Sequence, residues 1–379
     1  MPHTIRRRRR SAAYLLTLAA ALAALAAAEL TYAGEAHSPG EADFRQGWLV
    51  YASPSVDRQL AGSLEARQQA RLAALPHFEA AVAAEPDRSE YLRSLVYVQL
   101  AAGQYQRARE TVGRALRLRR DLPELHLLRG QAEAALALMD PAHASERVGP
   151  ALDAFDQAGR LDPDNALPLI QAASVAFDLG RPDLGLSRVR DGLTRSGCCL
   201  RRLPVPFDLK PDRVAALSMW QYVVYEDWYN VLARCQNVSR SLLKLGQEAE
   251  AQGELAQAEE RFQQALSLGR QLGMADPNLF ITAMYGMNVM DDAYAALAGL
   301  AARQGSRERE RWEGERGVIA FARSQLIAAL QAYQKEIQEH PPATPEELLA
   351  AEGKHVAAVI AGIGLKPRQA PLRPMAGAG

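Results

Sequence analysis

Residues 102–118 read AGQYQRARETVGRALRL, and residues 252–268 read QGELAQAEERFQQALSL. Both stretches place Gly second, an apolar residue fourth, Ala seventh and fourteenth, and Leu fifteenth and seventeenth. The two alanines are seven residues apart and share one helix face, where a larger side chain would overpack a contact with a neighbouring helix. The glycine falls where two helices meet and the backbone needs a left-handed conformation. The shared sequence pattern therefore predicts a helix–turn–helix unit that occurs at both places.

The same spelling recurs elsewhere in the chain. Steps of 34 residues, or 43 in one case, lead to small residues at Ala81, Ala158 and Gly192. Five units emerge. The longer step inserts nine residues around 140–149, where we expect a solvent-facing loop. The fourth unit has Gly185 and Gly192 in place of both alanines, so we expect it to be loosely packed.

Glycines inside the predicted first helices need a separate explanation. Gly costs about 1 kcal/mol relative to Ala in a helix interior. We therefore interpret Gly130 and Gly246 as points where another helix backbone passes too close for a side chain. Gly62 can be placed at the same position of the first unit, and Pro76 would lie in the first turn of that unit's second helix.

A 34-residue helix–turn–helix period with this spelling resembles the tetratricopeptide repeat. The unit that carries the resemblance best contains Leu242, Leu245, Gly246, Gly253, Ala258, Phe262 and Ala265. The resemblance covers about residues 55–195 and 239–270. It implies that helix–turn–helix repeats stack in an α-solenoid. The many helix-forming Ala, Leu, Glu, Gln and Arg residues independently predict an all-α fold, and the proline-rich break at 196–213 predicts two helical lobes. The resemblance also implies a non-catalytic scaffold that binds a peptide or a helix in a concave groove lined by first helices.

The resemblance places groove residues at the second, fifth, ninth and twelfth positions of each unit. The candidate partner-binding residues are Arg93, Tyr97, Leu100, Ser174, Phe177, Arg240, Gln247 and Glu250. This set is polar with scattered apolar members, and it contains no basic clamp for a terminal carboxylate. We therefore expect an extended or helical protein segment as the partner, bound at modest affinity.

The N-terminus has the pattern of an export signal. Five arginines at residues 6–10 precede an apolar stretch at 11–28 that carries no charge. We predict a signal peptide or a membrane anchor over residues 1–33, and an exported, periplasmic or extracytoplasmic location. Cleavage and retention both fit, and membrane contact is expected only through this segment.

Composition changes divide the rest of the chain. We predict a linker at 34–54, repeats at 55–195 and a proline-rich connection at 196–213. A second helical lobe follows at 214–339, and a short helix and a disordered tail at 340–379. Aromatic residues concentrated in the first part of the second lobe fit a ligand-stacking surface or a core helix that joins the lobes, and the core helix is the favoured interpretation.

The predicted helix over 306–339 carries a narrow apolar stripe. Its members are Ile319, Leu326, Leu330, Tyr333 and Ile337. The stripe suits packing on a neighbouring helix of the same chain, which is the default interpretation. Packing on a second copy is the alternative, and it would make the protein a self-associating assembly component.

The sequence contains no catalytic or cofactor signature. Lysine and arginine together number 44, as do aspartate and glutamate, so there is no global charge signature of a nucleic-acid binder. No two histidines are three or four residues apart, and HExxH and CxxC motifs are absent. We therefore expect no enzyme, no cofactor and no metal site, and we keep an unrecognised enzyme only as a third hypothesis. Cys198, Cys199 and Cys235 allow at most one internal disulfide, from Cys235 to one member of the pair, or three free thiols.

Overall fold

The computed structural model describes residues 38–56, 63–140, 144–198, 213–273 and 279–363. Within these ranges the chain forms thirteen α-helices, one 3₁₀ turn at Ser53–Val56 and no β-strand beyond a single bridge between Asn165 and Gly197. The helices are α1 (Glu41–Ala52), α2 (Leu64–Ala84), α3 (Ser89–Ala101), α4 (Tyr105–Leu118), α5 (Pro123–Met139), α6 (Ala144–Leu161), α7 (Leu167–Asp178), α8 (Pro182–Leu193), α9 (Arg213–Ala251), α10 (Leu255–Gly273), α11 (Phe280–Arg303), α12 (Glu308–Glu339) and α13 (Pro345–Gly362). The predicted all-α class is confirmed.

The helices divide between two compact units. Among the described residues, the first unit comprises those up to 103 and those at 213–220, and the second comprises those at 104–198 and from 221 onward. In the first unit α2 packs on both α1 and α3. In the second unit each helix from α4 to α8 packs on the next, and the same holds from α10 to α13. Packing of successive helices in this order is the arrangement predicted for stacked helix–turn–helix repeats.

Glycine with a left-handed backbone forms the turn between the two helices of a repeat. Gly103 has φ of 78° and Gly253 has φ of 81°, which confirms the conformation predicted for both. Gly180 and Gly305 make the corresponding turns before α8 and α12. Residues with a side chain rarely adopt this conformation, so glycine is the residue that allows the tight turn.

Inside the helices, glycine accommodates an aromatic ring. A Cβ added to Gly130 of α5 would lie 2.6 Å from ring carbon Cδ1 of Phe155 on α6. Gly246 of α9 meets the ring of Phe262 on α10 in the same way. The predicted close approach of a helix backbone is therefore wrong at these two positions, because the neighbour is a side chain. Such a backbone approach does occur between α10 and α11, where a Cβ on Gly269 would lie 2.9 Å from the carbonyl oxygen of Gly286.

The first repeat begins earlier than the sequence indicated. Gly47, not Gly62, receives the ring of Phe78, whose Cε2 would lie 2.8 Å from an added Cβ. Gly62 lies outside the described residues. The predicted linker at 34–54 therefore contains α1, which is helical because its aromatic and small residues, including Phe44, form a face that α2 buries.

Two local interpretations of proline and of the insertion are also wrong. Pro76 lies inside α2, which begins at Leu64 because Ser63 caps it: the Ala66 N–H donates to Ser63 Oγ at 3.2 Å. The insertion predicted as a loop at 140–149 is helical from Ala144 onward, and Val148 is buried against Phe155 and its neighbours. In both places burial of an apolar face extends a helix beyond the point that local rules set.

The fourth repeat is not loosely packed. The ring of Phe177 on α7 fills the space beside Gly185, with Cε1 2.5 Å from an added Cβ. Ile170 fills the space beside Gly192 in the same way, at 3.1 Å. Larger side chains on the first helix thus compensate for the missing alanine methyl groups on the second.

The end of the described chain follows the sequence prediction. Ile319, Leu326 and Tyr333 of α12 are buried, and α12 packs on α11 and α13, so the apolar stripe packs within the chain as expected. Thr344 caps α13, with the Glu347 N–H donating to its hydroxyl at 3.2 Å.

Predictions about the two ends of the chain are not tested by the structure. No helix in the described ranges is long and apolar enough to cross a membrane. The predicted signal or anchor at 1–33 and the predicted disordered tail beyond residue 363 lie outside those ranges.

We expect Gly130→Ala to lower the free energy of unfolding by about 1–3 kcal/mol, because the new methyl group would overlap the Phe155 ring. Gly113→Ala is the matched control, since Gly113 also lies inside a helix but an added Cβ would have no neighbour within 4 Å. The control should gain up to about 1 kcal/mol from helix propensity. Urea unfolding of both variants measures the difference, and equal effects of the two substitutions would refute the ring contact.

Candidate partner-binding site

Polar side chains join the first helices of successive repeats in the second unit. Asn237 of α9 donates from Nδ2 to Ser174 Oγ at 3.1 Å and to Asp178 Oδ1 at 2.8 Å on α7. Arg234 donates to Asp178 Oδ2 at 3.0 Å. These bonds tie α7 to α9, and one of them uses Ser174, which was predicted to face a partner.

Similar bonds occur on either side of this pair. Gln131 of α5 donates to Gln171 of α7 at 3.0 Å. Glu250 near the end of α9 pairs with Arg303 at the end of α11, with one N–O separation of 2.7 Å. First helices are therefore connected in sequence from α5 through α7 and α9 to α11.

The structure places the eight predicted partner-binding residues in different environments. Two members are buried, Tyr97 at 5% exposure against Trp48 and Tyr51, and Ser174 under Asn237. Half-buried members are Arg93, Leu100, Phe177 and Glu250, and exposed members are Arg240 and Gln247. Arg93, Tyr97 and Leu100 belong to the first compact unit and the other five to the second. The partner-binding role of this set stays a prediction. Arg240 and Gln247 are the most solvent-exposed members of the set.

A cleft lies between α9, α11 and α12 in the second unit. We call it the aromatic cleft, and its volume is about 460 Å³. Its lining residues are Gln221, Tyr225, Tyr229, Phe280, Ile281, Met284, Tyr285, Leu326, Ile327, Leu330, Tyr333, Gln334 and Ile337. None of these side chains carries a charge. Tyr229 and Ile327 are each 53% exposed, an unusually high fraction for large side chains of this kind.

A buried carboxyl group fixes two of the lining residues. Glu352 of α13 accepts a hydrogen bond from the Tyr225 hydroxyl at 2.5 Å and from the Phe280 N–H at 2.8 Å. Burial raises the pKa of Glu352, while these two hydrogen bonds partly oppose the rise. Because Tyr225 lies on α9 and Phe280 on α11, Glu352 holds the two sides of the aromatic cleft at a set separation.

The hydroxyls of Tyr225 and Tyr333 in the cleft remain neutral. Burial, followed by the nearby Glu352 charge, raises the pKa of both Tyr225 and Tyr333. Gln221 donates to the Tyr333 hydroxyl at 3.3 Å. The cleft thus combines apolar rings with neutral hydrogen-bonding groups. It is suited to apolar side chains and uncharged polar groups rather than to ions.

The sequence interpretation found only part of this surface. Trp220 and Trp228 are buried, in agreement with the favoured core-helix interpretation of the aromatic segment. Tyr225 and Tyr229 of the same helix instead line the cleft. The signal that could have separated them is their spacing of four residues, which puts both on one helix face.

The described residues offer no alternative inorganic site. No group of three or more His, Cys, Asp or Glu side chains within them could hold a metal ion.

Substitution of the predicted partner-binding residues should separate packing from surface roles. Tyr97→Ala should lower the free energy of unfolding by about 3–5 kcal/mol, because it removes a ring buried between Trp48 and Tyr51. Arg240→Ala and Gln247→Ala should change it by less than about 0.5 kcal/mol, since both side chains are exposed. Thermal unfolding monitored by circular dichroism measures all three, and an unchanged melting temperature for Tyr97→Ala would contradict the packing shown.

Stability should fall as pH rises through the titration of Asp227 on α9. Burial, and then the neighbouring Glu226 charge, raise the pKa of Asp227 from 3.8 to about 7. The folded chain therefore keeps a proton that the unfolded chain has already lost, and the folded state loses stability between about pH 4 and pH 7.

Asp227→Asn tests this pH dependence. The variant should be more stable than the parent above pH 7, and the difference should shrink towards pH 4. Glu259→Gln, at an exposed carboxylate on α10, controls for the loss of one charge. Denaturant unfolding across this range measures the effect, and a constant difference between parent and Asp227→Asn would contradict it.

Comparisons with known proteins agree with the helix-pair architecture. Residues 66–132 match the family model described as tetratricopeptide repeat. A solved structure titled "Crystal Structure of P58(IPK) TPR Domain" aligns over 83% of this chain and 99% of its own, with 14% identity and a TM-score of 0.16. A search of curated proteins finds no match. Residues 66–132 are therefore similar to the tetratricopeptide repeat, and the paired helices of the described residues have the helix–turn–helix arrangement of that repeat.

Proposed function

We propose that this chain binds a segment of a partner protein and that the aromatic cleft receives apolar side chains of that segment. The tetratricopeptide fold supports a protein-interaction scaffold in general. The observation that carries the finer proposal is the cleft itself, which has large apolar side chains half open to solvent. Its volume of about 460 Å³ lies within the roughly 300–1,000 Å³ typical of binding sites.

The lining of the cleft defines the chemistry of the partner segment. With no charged side chain in the lining, a charged group of the partner would lose its hydration without gaining an ion pair. Gln221, Gln334 and the tyrosine hydroxyls offer hydrogen bonds to a peptide backbone or to neutral side chains. The favoured occupant is therefore a helix or an extended peptide with an uncharged, apolar face.

The N-terminal pattern supports a location for this binding. We propose that the arginines at 6–10 and the apolar stretch at 11–28 direct export, so that the scaffold acts at the cell envelope. The partner would then be an envelope or exported protein.

Site-specific photocrosslinking in the native cells tests the proposal. A photoreactive phenylalanine replaces Tyr229 or Ile327 in the cleft, and Arg114, an exposed residue of α4, serves as the control position. Both cleft positions should capture the same partner, and position 114 should not. Equal capture of the partner from all three positions, or no capture from the two cleft positions, would show that the aromatic cleft is not the binding site.

A charged substitution in the cleft should block the same partner binding that the crosslinking detects. Ile327→Glu should reduce capture of the partner from position 229 by at least tenfold, because it introduces a charge at an exposed lining residue. Val318→Glu on the same helix is the control, since Val318 is also exposed but does not line the cleft. Both variants should retain the melting temperature of the parent, and capture that survives Ile327→Glu would contradict cleft binding.

A second candidate is self-association through α12, and a specific observation favours it. Phe321 is 59% exposed, and it lies outside both the apolar stripe and the cleft lining. Sedimentation velocity at several concentrations tests this candidate. A monomer at all concentrations excludes it, whereas a dimer that Phe321→Glu dissociates would make the protein an assembly component.

A further inference from the structure

Two cysteine thiols lie together inside the second compact unit. Cys198 follows α8, and Cys235 lies in the middle of α9. Both are fully buried and free in the structure, and the Cys235 thiol is the neighbouring group that acts on the Cys198 thiol. Nothing in the proposed partner binding uses them.

The segment that carries Cys198 is fixed by hydrogen bonds to two helices. The Ala166 N–H at the start of α7 donates to the carbonyl oxygen of Gly197 at 2.7 Å, and the Gly197 N–H donates to the carbonyl oxygen of Asp164 at 3.1 Å. Gln271 of α10 donates from Nε2 to the carbonyl oxygen of Arg195 at 2.9 Å. Residues 195–198 are therefore held between α7 and α10.

The helix pair α9–α10 brings Cys235 to the same place. The two helices run antiparallel from their turn at Gly253, and the Gly246–Phe262 contact sets their register. Nine residues beyond Phe262 lies Gln271, and nine residues before Gly246 lies Asn237, one half-turn from Cys235. The side chain that holds the Cys198 segment is thus level with the turn of α9 that holds Cys235.

We propose that Cys198 and Cys235 form an intrachain disulfide bond when the chain folds in the presence of a disulfide oxidant. One thiolate attacks the oxidant disulfide and releases one oxidant thiol, leaving a mixed disulfide. The second thiolate then displaces the other oxidant thiol. The protein loses two protons and two electrons, and the oxidant is reduced to two thiols.

Burial determines when this reaction occurs. Both sulfur atoms are shielded from solvent in the folded chain, and the neighbouring Cys235 thiol and burial raise the pKa of the Cys198 thiol. Exchange with an oxidant in solution is therefore slow once α9 has packed. The bond forms during folding, and it links the end of the fourth repeat to the fifth across residues 199–234, which limits the unfolded chain more than the folded one.

Oxidative refolding of the full-length chain tests the assignment. The denatured, reduced protein is refolded with reduced and oxidised glutathione, alkylated under denaturing conditions and digested for mass spectrometry. A linked pair of peptides containing Cys198 and Cys235, with Cys199 alkylated, is the expected result. The oxidised protein should melt several degrees above the reduced protein.

Single substitutions provide the controls. Cys199→Ala should keep both the linkage and the rise in melting temperature, and Cys235→Ala should lose both. Three alkylated cysteines after oxidative refolding of the parent, or a linkage through Cys199, would overturn the proposal. The parent linkage map needs no variant, and it does not depend on the result of the crosslinking at the aromatic cleft.

Discussion

An aromatic ring resting on a glycine of the facing helix is the contact on which three of the helix pairs depend. Phe78 meets Gly47, Phe155 meets Gly130 and Phe262 meets Gly246, each time with the glycine on the first helix and the ring on the second. A helical glycine costs about 1 kcal/mol. Full burial of a phenylalanine contributes about 1.5–3 kcal/mol, so the exchange favours the close pair.

Contacts between neighbouring first helices limit which surfaces remain available for binding a partner. Side chains such as Ser174 and Glu250 join neighbouring first helices, so part of the surface predicted for a partner contributes to the scaffold itself. The aromatic cleft differs because α9, α11 and α12 leave their rings partly uncovered, while Glu352 fixes α9 against α11. A rigid apolar surface of this kind lowers the entropy cost of binding a segment.

The spacing of residues in the sequence predicted the features that depend on neighbouring residues alone. The turns at Gly103 and Gly253 follow from short-range chemistry, and the structure confirms them. Gly47 escaped detection because 31 residues separate it from Phe78, whereas 16 separate Gly246 from Phe262. The aromatic cleft could not be predicted, because its walls come from three separate segments, at 221–229, 280–285 and 326–337, and no periodicity records their contact.

A double-mutant cycle on Gly130 and Phe155 tests the ring-on-glycine contact most directly. The free energy of unfolding is measured for the parent, Gly130→Ala, Phe155→Leu and the double variant. The smaller, flexible leucine leaves room for the new methyl group, so the double variant should be more stable than additivity of the two single changes allows, by about 1 kcal/mol or more. Strictly additive effects would show that the ring and the glycine do not interact, and would contradict this account of how the repeat is built.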